Sequence, residues 1–445
     1  MPSLPVFLLA VGLWSLTAGP THQATAAEAI KSPNIVVIVS DNQGWMDIGY
    51  HGSKIRTPHL DRLARDGVRL NRHYVFPMCS PTRAGFVSGR NPSRYGILGA
   101  IGWRSKQALP PETFTIADAL KRQGYETAIT GKWHLGLRPE VGPLQYGFDS
   151  SYGHFHGQID KYTHRYKNGD KSWHRNDRLI DEEGHATDLT EAAAIEFIER
   201  RRNRPFFLYV PFTAPLTPLQ EEAKWVRPYD GVFAEQSRRE YAASITHMDA
   251  AVGNVVAALE RTGQRERTLI VFFSDNGAVP RLGPSTNYQG KFGPYDLLGD
   301  NGRLRGWIGE LYDGSLRTPA LVNWPGVLKP RLVESVVSVL DWYPTLAGRA
   351  GYRPEATLAL EGEDIWELLT GQADQHRDRE LYWKTGNGVA LRQADWKLVL
   401  MPRKKSVELF EMNQDPFEEQ NLADEFPDQV ARLRELLRQQ AVRDP

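Results

Sequence analysis

The 445-residue sequence predicts an α/β fold with a large, mostly parallel sheet flanked by helices and a small antiparallel subdomain at the C-terminus. Two observations predict this fold. In the first 350 residues, short runs rich in Val, Ile and Phe alternate with helical patterns, as expected for parallel strands joined by helices. After that point, strand patterns follow one another closely, which is typical of an antiparallel sheet.

Four apolar runs are predicted to be strands of the large sheet, at 35–39, 127–130, 206–210 and 269–273. Helical patterns accompany them at 60–67, 116–123, 190–201 and about 238–260. Each run ends in polar residues, Gly or Pro, and ligands of open α/β sheets gather beyond the carboxyl ends of the strands. A site is therefore expected in the segments that follow the strands, 40–42, 131–134, 211–218 and 274–277.

The C-terminal subdomain is predicted from strand patterns at 381–383, 388–392, 396–400 and 408–410 and a final helix over 428–440. We place the domain boundary near residue 350, so that a main domain spans 33–350 and the subdomain spans 351–445. We expect this subdomain to be a packing module beside the cleft of the main domain.

Charge and the N-terminus restrict the class of protein. Lys plus Arg and Asp plus Glu both total 54, so no overall field attracts nucleic acid, and an anion site must be local. Residues 4–18 form an apolar run too short for a comfortable membrane span, and 24–27 resemble a small-residue cleavage site. We predict a signal peptide over 1–26, no membrane span after its removal, and a bacterial periplasmic or secreted protein.

Cys79 is the only cysteine of the chain and forms no internal disulfide, so its role is either packing or chemistry. Pro81 is suited to the first turn of a helix, which places Cys79 at the helix's amino end, where unpaired N–H groups favour an anion. Arg83 adds a permanent positive charge one turn later. Asp41, Asn42, Asp275 and Asn276 follow two predicted strands and offer the hard oxygen ligands that suit Ca²⁺ or Mg²⁺.

The segment from Phe76 to Arg83 contains Cys-x-Pro-x-Arg, which resembles the signature of the type I sulfatases. Residues 34–97 resemble the arylsulfatase B group within that family, and matching motifs extend over roughly nine tenths of the chain. The resemblance implies the alkaline phosphatase-like fold of the sulfatases. It also implies that a maturation enzyme oxidises Cys79 to formylglycine, whose hydrate attacks sulfur with one hydroxyl and expels sulfate through the other.

The resemblance also implies roles for individual residues. A calcium ion, or magnesium in its place, would be bound by Asp41, Asn42, Asp275 and Asn276 together with the oxygen formed at Cys79. Arg83 would stabilise the hydrate, Lys132 would bind a sulfate oxygen, and His134 would accept a proton. Asn42 replaces the usual Asp, which removes one negative charge from the metal site.

Two further departures affect the leaving group. Leu216 and Ile308 occupy positions where the family normally carries His and Lys in contact with the sulfate or the leaving oxygen. Neither aliphatic side chain can donate a proton, and general acid catalysis is typically worth ~10²–10⁴ in rate. Three interpretations are open: another residue supplies the donor, the substrate has a leaving group that needs no acid, or the protein is inactive. The candidate substrate-binding residues, any of which could replace the donor, are His154, His156, Lys161 and Lys291.

The first functional hypothesis is a sulfuric ester hydrolase that releases sulfate. The resemblance to the arylsulfatase B group implies that its substrate is a sulfated carbohydrate. The second is a catalytically impaired protein of the same fold that binds sulfated glycans, as the residues at 42, 216 and 308 suggest. The third is a phosphonate or phosphodiester hydrolase, because the same superfamily handles both kinds of tetrahedral anion. Asn276, which stands where phosphonate hydrolases commonly have His, disfavours the third hypothesis.

Overall fold

The structure is a computed structural model that describes residues 1–2, 32–200, 203–284, 288, 292–373 and 378–445. Nearly all of the predicted signal peptide, and the candidate residue Lys291, lie outside these ranges. Within them, no helix has the length and apolar character needed to cross a bilayer.

A ten-stranded sheet forms the centre of the described part of the chain. Its strands are β1 (Asn34–Ser40), β2 (Val68–Tyr74), β3 (Glu126–Lys132), β4 (Ser150–His154), β5 (Trp173–Arg175), β6 (Arg178–Leu179), β7 (Phe206–Pro211), β8 (Thr268–Ser274), β9 (Ala320–Asn323) and β10 (Arg331–Ser338). The spatial order is β10-β2-β9-β8-β1-β7-β3-β4-β5-β6. β9 runs antiparallel to both of its neighbours, and β5 and β6 form an antiparallel edge, so the sheet is mixed but mostly parallel.

The helices found in the described ranges are α1 (Pro58–Arg65), α2 (Cys79–Ser88), α3 (Ile116–Arg122), α4 (Ala186–Glu199), α5 (Ala223–Val226), α6 (Gln236–Arg261), α7 (Asp313–Leu316), α8 (Trp342–Arg349), α9 (Trp366–Thr370) and α10 (Pro427–Ala441). The helix predicted to begin at Thr190 begins four residues earlier, at Ala186. There the side chain of His185 accepts a hydrogen bond from the backbone N–H of Thr187. Histidine is not among the residues that usually mark a helix start, which explains the error.

Both faces of the sheet are buried. Along β1, Ile35 and Val37 point into one apolar cluster, which includes side chains of α2, α3 and α8. Val36 and Ile38 point into a second cluster on the opposite face, which includes side chains of α1, α4 and α6. Because successive side chains of a strand face opposite sides, a strand covered on both faces is apolar throughout. This arrangement accounts for the uninterrupted apolar run over 35–39 and confirms the predicted α/β layering.

The four strands predicted from apolar runs are consecutive in the sheet, in the order β8-β1-β7-β3. Each neighbouring pair is parallel, and the register pairs Ser40 at the end of β1 with Ser274 at the end of β8. Their carboxyl ends therefore meet at one edge, and the four polar segments that follow them converge there.

The C-terminal strands β11 (Glu380–Lys384), β12 (Val389–Gln393), β13 (Trp396–Met401) and β14 (Ser406–Glu411) form the expected antiparallel meander. α10 packs Leu433 and Leu437 against the sheet. A buried lysine joins this sheet to the main domain, since Lys397 Nζ lies 2.8 Å from Asp313 Oδ1 and 2.6 Å from Glu418 Oε1. Aromatic and aliphatic side chains of β11, β13 and β14 also belong to the core cluster of the large sheet.

Candidate active site

Cys79 is the first residue of α2, and it is 92% buried beside the polar edge of the large sheet. Its Sγ atom lies 3.2 Å from Nδ1 of His134. The adjacent Ser80 donates a hydrogen bond to the backbone oxygen of His134, at 2.9 Å, which ties the start of the helix to the segment after β3. Burial raises the pKa of the Cys79 thiol. The unmodified side chain is therefore a neutral thiol and a weak nucleophile.

His134 is held with its basic nitrogen facing Cys79. Nε2 lies 3.1 Å from the backbone oxygen of Ile101, which can only accept, so Nε2 carries the proton and Nδ1 is left with a lone pair. Burial and the nearby Lys132 cation hold the pKa of His134 well below its usual range, so the ring is neutral. The residue has φ of 56°, a left-handed conformation that a non-glycine residue adopts at a cost of about 1–3 kcal/mol.

Two buried ion pairs surround the Cys79 side of the site. Arg83 binds Asp275 through both Nη2, at 2.7 Å, and Nε, at 3.1 Å. Lys132 Nζ lies 2.7 Å from Asp41 Oδ2. Burial, reinforced by the charge of Asp275, raises the pKa of Asp41 to about 6, although Lys132 and Arg83 oppose this shift. The two carboxylates are thus close enough to repel each other, and a cation between them would relieve that repulsion.

The oxygen donors of this site fit a hard divalent cation. Asp41 Oδ1 and Asn276 Oδ1 are buried and have no hydrogen-bond partner among the described residues. Asn42 Oδ1 accepts a hydrogen bond from Asn276 Nδ2 at 2.6 Å, and Asp275 Oδ1 accepts one from the backbone N–H of Asn42 at 3.2 Å. Hydrogen bonds thus link Asn42, which follows one strand, with Asp275 and Asn276, which follow another. The unpartnered oxygen atoms of Asp41 and Asn276 need a partner, and metal coordination would supply it.

A cavity of about 340 Å³ opens over these residues. Leu216 and Ile308 both line it, together with Cys79 and His134. The two aliphatic side chains thus face the same space as the cysteine. The cavity is lined by Asp41, Asn42, Cys79, Ala100, Ile101, Gly102, Trp103, His134, His156, Gly157, Gln158, Tyr166, Lys167, Leu216, Val279, Leu282 and Ile308.

The three described candidates for substrate binding differ in position. His156 lines the cavity. His154 is fully buried, and Thr213 Oγ1 and the backbone oxygen of His156 occupy its two nitrogens, at 2.8 and 2.7 Å. Lys161 is buried and donates to the backbone oxygen of Thr213 at 3.1 Å, and burial lowers its pKa to about 8. His154 and Lys161, like the predicted sulfate-binding residue Lys132, are not among the lining residues, so their substrate-binding role stays a prediction.

A second polar cluster, which no sequence motif predicts, is formed by His185, Glu221 and His247, whose ligand atoms lie within 4.8 Å of one another. His247 donates to Glu221 at 2.6 Å and to Asp188 at 2.8 Å. Burial opposes a charge on His247, but these hydrogen bonds outweigh it and raise the pKa of His247 to about 9. Both of its nitrogens then carry protons, which makes this cluster an ion-pair network. Its members are distant in sequence, and no local motif marks them.

Two protein-family models match this chain. The family model described as sulfatase matches residues 33–352. A second model, described as the C-terminal part of N-sulphoglucosamine sulphohydrolase, matches residues 306–443.

Among curated proteins, the chain is similar to arylsulfatase J of Mus musculus, with 30% identity over 90% of this chain and 74% of the relative. It is 30% identical to N-acetylgalactosamine-6-sulfatase of the same organism, over 89% of this chain and 78% of the relative. Steryl-sulfatase of Mus musculus is 32% identical, over 81% and 68%.

Among solved structures, the chain resembles Ps i-CgsB in complex with k-i-k-neocarrahexaose, with a TM-score of 0.83 and 28% identity. The match covers 93% of this chain and 94% of the other. The putative sulfatase yidJ from Bacteroides fragilis shares the fold, with a TM-score of 0.72 and 22% identity over 97% and 98% of the two chains. Together with the family model over most of its length, these similarities show that the chain belongs to the sulfatase family and is a type I sulfatase.

Proposed function

We propose that the protein hydrolyses sulfate esters of carbohydrates, with formylglycine formed from Cys79 as the nucleophile and a divalent cation, Ca²⁺ or Mg²⁺, at its side. The carrying observation is that Cys79 Sγ lies 3.2 Å from the lone-pair nitrogen of His134, beside buried oxygens of Asp41 and Asn276 that have no partner among the described residues.

Formylglycine would supply a hydrate nucleophile that the neutral thiol cannot provide, and the cation would polarise the sulfate ester. The protein's own residues do the rest. Arg83 holds Asp275 in place and brings a permanent charge toward residue 79. Lys132 Nζ, which binds Asp41, is the cation we assign to a sulfate oxygen. His134 accepts a proton at Nδ1, because its Nε2–H is bound to Ile101.

Carbohydrate as the substrate class is supported by two relatives and by the cavity. The similar structure of Ps i-CgsB is a complex with a neocarrahexaose, and one similar curated protein is an N-acetylgalactosamine-6-sulfatase. Trp103 and Tyr166 line the cavity, and Trp103 is 40% exposed. Aromatic faces of this kind suit the apolar C–H faces of a sugar ring. A bacterial periplasmic or secreted location, and a main domain over 33–350, belong to the same proposal.

The test combines mass spectrometry with turnover. The chain is produced with and without a formylglycine-generating enzyme, and the mass of the peptide that contains residue 79 is measured. Release of inorganic sulfate is then followed on a panel of sugar and aryl sulfates, before and after treatment with a chelator. We expect the aldehyde mass, sulfate release and restoration of activity by Ca²⁺. A residue-79 peptide that is thiol throughout, with no ester of the panel hydrolysed, contradicts the proposal.

The second candidate function is a protein that binds sulfated glycans with little turnover. The observation that favours it is the pair Leu216 and Ile308, both of which line the cavity where the family usually has polar side chains. It predicts measurable affinity for a sulfated oligosaccharide without sulfate release. Multiple turnovers that Cys79→Ala abolishes exclude it. Matched aryl sulfate, phosphodiester and phosphonate substrates separate both functions from phosphonate hydrolysis.

A further inference from the structure

Four aliphatic side chains contribute to the lining of the cavity. Leu216 and Ile308 face the space beside Cys79, and Val279 and Leu282 extend the same aliphatic surface. When attack at sulfur breaks the bond to the ester oxygen, negative charge develops on that oxygen. For a sugar alcohol this charge is poorly stabilised, so a donor close to the oxygen has a large effect on rate.

His156 presents an N–H to this cavity because its neighbours fix its tautomer. Ser172 Oγ accepts the backbone N–H of His156 at 3.0 Å and lies 2.9 Å from His156 Nδ1. Ser172 is fully buried, and its hydroxyl has no other acceptor within the described ranges, so its proton is donated to Nδ1. With Nδ1 as an acceptor, the proton of the neutral ring is on Nε2.

The Nε2 atom of His156 has no hydrogen-bond partner among the residues that the structure describes. It is not among the fully buried polar atoms that lack a partner, and its side chain lines the cavity. The ring stacks on Tyr166 with centroids 4.8 Å apart. Gly157, the next residue, contacts the other catalytic candidate, since a Cβ placed on it would lie 2.3 Å from Cε1 of His134. His156 is thus one residue away from a direct contact with the ring that touches Cys79.

His154 shows that the histidines of this segment are not equivalent. Its Nδ1 donates to the backbone oxygen of His156, and its Nε2 accepts from Thr213 Oγ1. Both nitrogens are used within the protein, so His154 has no donor left for a substrate. Two residues later, the serine partner reverses the tautomer and leaves the Nε2–H of His156 free.

We propose that the Nε2–H of neutral His156 is the hydrogen-bond donor to the leaving ester oxygen and takes the place of the polar groups that Leu216 and Ile308 replace. Ser172 is the positioning residue that holds this tautomer. The inference rests on the proposed sulfate ester hydrolysis.

The step needs no transfer of the histidine proton. As the attacking hydroxyl oxygen forms a bond to sulfur, the S–O bond to the leaving group breaks and its electron pair stays on the ester oxygen. The Nε2–H bond stabilises the resulting charge, and the oxygen then takes a proton from water. The hydroxide left from that water takes the proton that the attacking hydroxyl loses. Burial lowers the pKa of His156 to about 4, against a small opposing effect of Asp170, so the ring is a neutral donor near pH 7. A neutral imidazole acts here as an electrophilic hydrogen-bond donor and not as a general acid.

The kinetic test uses ring-substituted phenyl sulfates whose leaving phenols span a range of pKa values. For the matured enzyme we expect His156→Ala to lower kcat/KM by roughly 10²–10³-fold for the poorest leaving group, the usual effect of losing one oxyanion donor. For the best leaving group the effect should be close to none. His156→Gln, which retains an N–H near the Nε2 position, should recover much of the loss. Ser172→Ala should show a smaller loss with the same dependence on the phenol pKa.

A second measurement does not depend on turnover. In protein labelled with ¹⁵N-histidine, NMR of the ring nitrogens reports which nitrogen of His156 is protonated. We expect Nε2–H in the wild type and a mixture of tautomers in Ser172→Ala. His59→Gln, at an exposed position that is not part of the cavity lining, is the matched control and should leave both the kinetics and the His156 signals unchanged.

Three outcomes overturn the inference. One is a uniform loss in His156→Ala across all phenols, which indicates a structural role. Another is activity equal to that of the wild type with every phenol. The third is an Nδ1–H tautomer in the wild type. If the wild-type enzyme itself releases no sulfate from any ester, the proposed function fails first, and the kinetic part of the inference fails with it.

Discussion

The two walls of the cavity are built on different principles. The wall that carries Cys79 contains two buried ion pairs, Arg83 with Asp275 and Lys132 with Asp41, and a histidine whose tautomer is fixed. Another part of the cavity lining is aliphatic and includes Leu216 and Ile308. Charge is concentrated where the nucleophile and the sulfate group would lie. The donor that we infer for the leaving group, the Nε2–H of His156, belongs to the same cavity lining as these aliphatic side chains.

This difference indicates that different residues bind the sulfate group and stabilise the departing oxygen. Binding a sulfate ester requires positive charge, and buried ion pairs hold Arg83 and Lys132 in fixed positions near Cys79. Stabilising the departing oxygen can be done by a neutral hydrogen bond, which an apolar wall strengthens because the local dielectric is low. The residues around Cys79 therefore act through their charge, and the aliphatic residues act by excluding water. The following predictions test each side in turn, from the largest expected effect to the smallest.

Removing the base should have the largest effect. His134→Ala leaves residue 79 without the lone pair that lies 3.2 Å from its side chain. We expect kcat for sulfate release to fall by roughly 10³-fold, within the usual range for loss of a general base. The measurement is initial rate on 4-nitrophenyl sulfate. His59→Gln is the control, and a His134→Ala enzyme within tenfold of the wild type would contradict the assigned role.

Breaking a charged pair tests the rigidity of the same wall. Arg83→Met leaves the fully buried carboxylate of Asp275 without its cation. We expect the free energy of unfolding to fall by about 3–5 kcal/mol, the usual cost of removing one partner of a buried ion pair. Urea unfolding measured with a chelator present checks this. Because Asp275 is also a predicted metal ligand, saturating Ca²⁺ should restore part of the loss.

Adding a polar group to the aliphatic part of the cavity lining tests its role. Leu216→His introduces a potential donor where the family usually has one, in contact with the cavity. We expect Leu216→His to raise kcat/KM for phenyl sulfates with poor leaving groups by roughly tenfold, either in the wild type or in the His156→Ala background. The informative measurement is the double variant with His156→Ala. If Leu216→His does not rescue that variant for any phenol, the two side chains do not serve the same oxygen.

Charge at the metal site has a predicted effect no larger than that of Leu216→His. Asn42→Asp adds one carboxylate beside the unpaired oxygens of Asp41 and Asn276. We expect Ca²⁺ to bind about tenfold more tightly, because ligand charge is one determinant of calcium affinity. Calorimetric titration of the unmatured protein measures this without any dependence on turnover. Asn254→Asp on the exposed surface of α6 is the matched control and should not change the affinity.

Several parts of the fold and of the site followed from local pattern. The four buried strands were predictable because they are apolar on both faces, and β1, β3, β7 and β8 match the predicted runs within two residues at each end. The start of α2 at Cys79 followed from Pro81. By contrast, β9 is only four residues long and β6 only two. Strands this short contain too little periodicity to be distinguished from loops.

The sequence by itself determined the chemistry that this protein has available: one cysteine in a sulfatase-like segment, oxygen donors after two strands, and aliphatic residues at 216 and 308. Only the tertiary structure decided which of these groups meet and which nitrogen of each histidine is free. Ile101 and Ser172 fix the tautomers of His134 and His156 from positions that are 33 and 16 residues away in the chain. A hydrogen bond depends on distance and direction in space, and residue order alone contains neither.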